Sequence, residues 1–144
     1  MVQEPTPSPW WPPLLRIHHV AFAHTPTSAP HERFAELLGV PVCHEEDGPG
    51  FTERMLPVGD GFVQTLEATG PGVVGKFVDK RGSALHHIAF EVEDIGECLR
   101  RLASVGVQLI DEQPRPGGMG TMIAFVHPRE FDGLLVELVE TPDG

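Results

Sequence analysis

Apolar and polar positions alternate along this chain in short runs, and the runs come in two matching sets. Ile17-His18-His19-Val20-Ala21-Phe22 returns as Leu85-His86-His87-Ile88-Ala89-Phe90. Alternation of this kind reads as a strand, and each copy is followed by a stretch with helical spacing that a glycine ends, Gly39 and then Gly106. The first half predicts strands over 15–23, 41–45, 51–56 and 62–68, with a helix over 29–38 and a turn over 47–50. A short helix over 73–80 leads into the second half. There, strands are expected over 84–92, 108–109, 121–126 and 134–139, with a helix over 95–104. The stretch 111–120, rich in proline and glycine, is expected to be irregular. The pattern gives an α+β fold of two β-α-β-β-β units with eight strands. A single domain over 15–144 is expected, with units at about 15–69 and 84–140 around a linker at 70–83. His19 and His87 stand 68 residues apart and Gly39 and Gly106 stand 67 apart, so the register of the repeat holds through the helix. A duplicated unit sets matching residues about a pseudo-two-fold axis, and the repeated histidines are expected to converge there.

Strand alternation sorts the histidines. Val20 and Phe22 share a face with His18, and Ile88, Phe90 and Val92 share one with His86. Those large apolar residues belong against a helix. His19 and His87 then point the other way, among Ala21, Ala23, Ala89 and Glu91, which suggests a cavity lined with polar groups. The closing strands add Gln64 between Val63 and Thr65, and Glu137 between Val136 and Leu138. A carboxylate in an apolar strand costs several kcal/mol unless it is paired or bound to a cation. Two imidazoles, a carboxylate and an amide oxygen suit a divalent first-row metal with open positions. Glu53 shares a face with Phe51 and Met55, where desolvation would raise its pKa and suit it to work as a general base. An edge strand with Glu53 in water beside Arg54 is the competing reading.

Composition narrows the function classes. A net charge of −11 argues against a nucleic-acid surface and for a soluble protein of the cytoplasmic type. No apolar run is long enough to span a bilayer. Residues 1–14 read as a proline-rich arm that lacks the basic and apolar segments of a secretory signal, with Trp10 and Trp11 available to tack it onto the body. Cys43 and Cys98 have no ligand-like spacing and are expected to be buried free thiols.

The doubled histidine runs, Glu91-Val92-Glu93-Asp94-Ile95, and Phe125-Val126-His127-Pro128 followed by Gly133-Leu134-Leu135-Val136-Glu137-Leu138 together resemble the vicinal oxygen chelate superfamily. Within it the sequence looks most like the methylmalonyl-CoA epimerases, over nearly everything after the arm. It departs from them after His127-Pro128, where those enzymes usually carry lysine and this chain has Arg129. The resemblance implies a curved, cupped eight-stranded mixed sheet around a metal held by His19, Gln64, His87 and Glu137. The divalent ion it implies is cobalt in vitro, with manganese, magnesium, zinc and nickel as alternatives. Also implied are Glu53 and Glu137 as the two proton-transfer groups, an acyl-CoA substrate and a homodimer. The reaction would be inversion at C2 of methylmalonyl-CoA through a metal-stabilised enolate. Lys76, Lys80 and Arg81 are candidates for the CoA phosphates, against a plain solvated helix face. A glyoxalase-type isomerase or another small-molecule-processing or drug-binding member of the superfamily is the alternative. Glu53 speaks against the first, and the absence of tyrosine speaks against an aromatic drug pocket.

Overall fold

In the computed structural model, residues 14–142 are described, so the arm up to residue 13 and the docking expected of Trp10 and Trp11 lie outside the described residues. Leu14, counted with the arm, belongs to the first strand. The elements run β1 (Leu14–His24), α1 (Pro30–Leu38), β2 (His44–Gly48), β3 (Phe51–Val58), β4 (Gly61–Ala68), α2 (Val73–Arg81), β5 (Ala84–Val92), α3 (Ile95–Ser104), β6 (Arg115–Pro116), β7 (Met122–Val126) and β8 (Val136–Glu140). All eight strands form one mixed sheet, in the order β2-β3-β4-β1-β5-β8-β7-β6. The expected α+β fold is therefore the observed one. The order reads symmetrically outward from its centre, where β1 and β5 pair antiparallel. Each central strand then pairs in parallel with the last strand of its own unit, β1 with β4 and β5 with β8. That arrangement sets the two closing strands, which carry Gln64 and Glu137, beside the two histidine strands.

The units are alike in topology and unlike in packing. α3 buries Ile95, Cys98, Leu99 and Leu102 against Val92, Ala124, Val126, Val136 and Leu138, with Phe90 packed on the rim. Asp94 caps it by accepting from the Glu97 backbone N–H at 3.0 Å. α1 is amphipathic and ends at Gly39 in the left-handed conformation, yet it buries no side chain. Val20 and Phe22 are accordingly only half-buried, which corrects the expectation that a helix covers them. Ala21 and Ala23 instead pack with Leu66, Ala68, Val74 and Val78, so α2 closes one end of the opposite face.

Two edges also differ from expectation. β2 starts at His44 rather than Pro41, and Asp47 and Gly48 pair with Thr52 and Phe51, leaving Pro49-Gly50 as the turn. In the second unit the expected strand 108–109 is a single bridge, Leu109 to Val126. The edge strand is β6, inside the stretch expected to be irregular. Cys98 is buried as expected, but Cys43 is exposed because it precedes β2.

Candidate metal centre and active site

His19, His87 and Glu137 come together from β1, β5 and β8, each at most 5% exposed. His19 Nε2 lies 2.9 Å from Glu137 Oε1, His87 Nε2 lies 3.1 Å from the same oxygen, and the two Nε2 atoms are 3.1 Å apart. Glu137 Oε1 nevertheless receives no hydrogen bond of acceptable geometry. Three metal-ligating atoms therefore crowd one point, close enough together that a single metal ion could be held by all three. Ligands bonded to such an ion at about 2.1 Å lie about 3.0 Å apart at right angles and about 3.4 Å apart at tetrahedral angles. The observed edges of 2.9–3.1 Å are short enough for one such ion to reach all three atoms. Burial alone would push the Glu137 carboxyl up, but the two imidazoles outweigh it and hold the group below the ordinary carboxylate range. His87 moves down instead, because burial disfavours its charged form more than Glu137 favours it. An ionised carboxylate facing a neutral imidazole is the donor set a divalent first-row metal takes.

Gln64 lines the same cavity at 7% exposure. Its Nε2 donates to Glu53 Oε2 at 3.2 Å, while its Oε1 is buried without a partner. One amide thus offers a free oxygen beside the triangle and steadies the other carboxylate. Glu53 is buried on the cavity face of β3, with Phe51 and Met55, as alternation requires. Burial raises its pKa, the hydrogen bond from Gln64 partly offsets this, and nearby Glu46 adds to the rise. A Cβ built on Gly118 would lie 2.5 Å from Glu53 Oε1, so the loop after β6 rests directly on the carboxylate. Glu46 Oε1 accepts from the Met119 backbone N–H at 3.2 Å and tethers that loop across to β2.

The cavity is about 570 Å³, a size suited to a small-molecule ligand. Alternation misplaced two of its residues. His18 and His86 line it together with His19 and His87, not the helix face. Glu91 was expected on the cavity side and is instead held by Arg16 at 2.9 Å. Lys76, Lys80 and Arg81 are not among the lining residues, and Arg81 sits over the Phe77 ring. Among the described residues the basic side chain at the wall is Arg115, paired with Asp111 and lying over Phe125. Sequence reasoning missed Arg115; its one signal was a lone arginine in a Pro- and Gly-rich stretch.

The sequence profile of the glyoxalase/bleomycin resistance protein/dioxygenase superfamily matches residues 18–125. The chain belongs to that superfamily. It is 32% identical, over 85% of its length and 96% of the relative's, to the ethylmalonyl-CoA/methylmalonyl-CoA epimerase of Cereibacter sphaeroides. The crystal structure of methylmalonyl-CoA epimerase from Mycobacterium tuberculosis superposes with a TM-score of 0.83 at 33% identity, covering 89% of each chain. A variant of the Streptomyces coelicolor methylmalonyl-CoA epimerase, in complex with 2-nitronate-propionyl-CoA, superposes with a TM-score of 0.84 at 34% identity, covering 90% of this chain and 96% of that one. As expected from its motifs, this superfamily member is an epimerase-like isomerase.

Proposed function

We propose that this protein epimerises methylmalonyl-CoA, taking a proton from C2 on one face and returning one on the other. The observation that carries the reading is the Gln64 bridge, which links a buried base to a cluster of donors with unmet polar atoms. The names of the relatives above support the substrate class. His19, Gln64, His87 and Glu137 would hold a divalent cation, for which cobalt is the first candidate and manganese, magnesium, zinc and nickel follow. When bound, it supplies Lewis-acid stabilisation of the negative charge that grows on the thioester oxygen as C2 loses its proton.

The residues of the chain do the rest. Two carboxylates with environments that push their pKa values apart divide the acid–base work. Glu53, raised by burial, is the proton carrier, and Gln64 and Gly118 fix its position. Glu137, held ionised, is chiefly a ligand, and only its oxygen outside the triangle can take part in proton return. Arg115 offers a positive charge at the wall for an anionic end of the substrate.

A homodimer fits the exposed apolar residues Leu37, Leu38, Ile17 and Leu85, and sedimentation as a monomer at micromolar concentration would remove that part of the reading. Among the described residues no helix is long and apolar enough to cross a membrane. The experiment is deuterium incorporation at C2 of methylmalonyl-CoA in D2O, with cobalt-loaded protein, an EDTA-treated control and Glu53→Gln. Metal-dependent exchange with inversion, lost in Glu53→Gln, is the expected result. No exchange with any divalent metal would overturn the reading and turn the search to other substrates of the superfamily.

A further inference from the structure

We infer that His18 and His86 are a matched pair of positioning residues, which hold His19 and His87 in the Nδ1-protonated tautomer and aim both Nε2 atoms at the metal position. The inference rests on the metal-centre reading above.

The backbone is built for it twice. In the β1–β5 ladder, Ile17 faces Phe90 and His19 faces Ala89, so His18 is an extra residue. Ala21 faces His87 and Phe22 faces Leu85, so His86 is an extra residue on the other strand. An extra residue in one strand re-aims the side chains beside it. Without these bulges, His18 and His86 would point through the sheet, away from the cavity. With them, His18 Nδ1 lies 2.8 Å from His19 Nδ1, and His86 Nδ1 lies 2.7 Å from His87 Nδ1. The ring pairs cross at 77° and 76°, so the two units repeat one geometry. Phe62 packs on His18 and Phe77 packs on His86, which wedges each outer ring in place.

Proton accounting fixes the direction. Each Nδ1 pair shares one hydrogen, so one ring donates and the other accepts. The two Nε2 atoms of His19 and His87 face each other at 3.1 Å and cannot both carry hydrogen. Neither makes a proper hydrogen bond to Glu137 Oε1. Ligation of one cation by both Nε2 atoms would take both lone pairs, so the ring protons of His19 and His87 would then sit on Nδ1 and point at His18 and His86. The outer rings then accept at Nδ1 and carry their own proton on Nε2. Outer partners that fix a metal-binding imidazole in this way are typically worth about 10- to 100-fold in metal affinity.

The test compares the wild type with His18→Leu, His86→Leu, His18→Asn and His86→Asn. Asparagine places Oδ1 where the imidazole had Nδ1, so it keeps an acceptor that leucine lacks. Zn2+ alone is titrated into metal-stripped protein, and ring 15N shifts of the Zn2+-loaded protein report the tautomers. Each leucine variant is expected to bind Zn2+ about 10-fold or more weakly. Asparagine should restore most of the affinity, and wild-type His19 and His87 should both show Nδ1–H. Leucine variants that bind like the wild type overturn the inference and leave the metal centre standing. If the wild type binds no divalent cation, the metal-centre reading falls and takes this inference with it. Should a leucine variant misfold, the wild-type spectrum decides: protons on the Nδ1 atoms of His18 and His86 would overturn the inference.

Discussion

Glu53 and Gly118 meet at the base, and the contact separates stability from activity. The carboxylate is the far end of a flexible side chain, so a methyl group on Gly118 can displace it at little structural cost. Gly118→Ala is expected to slow C2 exchange about 10-fold or more, since general-base catalysis of this kind contributes about 10²- to 10⁴-fold and depends on reach. Its melting temperature should stay close to wild type; unchanged exchange would remove the loop from the base's environment. Glu53 also carries a pH signature. Its pKa is raised in the folded state, so the stability it contributes is present below the ordinary carboxylate pKa and lost as pH rises through the raised value. Glu53→Gln mimics the protonated form. Metal-free Glu53→Gln should match the wild type in acid and gain on it as pH rises to 8. Urea unfolding of both proteins across that range checks this, and a gap that narrows with rising pH would contradict the assignment.

Among the elements, α3 and α1 occupy matching places in the repeat and do different jobs. Leu99 is 2% exposed within the core under α3, whereas Leu37 of α1 is 65% exposed. Truncating a buried leucine costs the lost transfer energy and leaves a cavity. Leu99→Ala is therefore expected to destabilise by about 2–5 kcal/mol in chemical denaturation. Leu37→Ala in the dilute monomer should cost well under that. Amphipathic spacing revealed both helices, but spacing says only that a face is apolar and not what covers it. The same limit explains the second edge strand. Gln108 and Leu109 have strand-like neighbours, yet the ladder on β7 is completed by Arg115 and Pro116, which no local pattern marks.

For the whole molecule, the candidate centre takes His19 and Gln64 from one unit and His87 and Glu137 from the other. A bound cation therefore ties the two halves of the sheet together. Because it binds only the folded chain, free ion at 100 times its Kd is expected to add about 2.7 kcal/mol to the unfolding free energy, reversed by EDTA. Glu137→Gln, which removes the anionic ligand, should lose most of that gain. If cations leave the melting curve of the wild type unchanged, the four residues do not form a metal centre. With a divalent ion bound there, the acidic chain would not oppose an anionic substrate, since one carboxylate ligand would leave net positive charge at the site.

The sequence by itself determined the duplication, the two β-α-β-β-β units and the residues that converge. His19 and His87 stand out by their repetition, and Glu137 because a carboxylate in an apolar strand is costly without a partner. Glu53 stays open against an exposed edge and, with Gln64, rests mainly on the family resemblance. Only the tertiary structure decided the partners. It turned His18 and His86 into the cavity, because a bulge is set by the register between strands far apart in sequence. It drew Glu91 away to Arg16 and laid Gly118 on Glu53, contacts across 75 and 65 residues. Alternation assigns a side chain to a face of its own strand, whereas the register between strands and the path of the loops decide what meets it there.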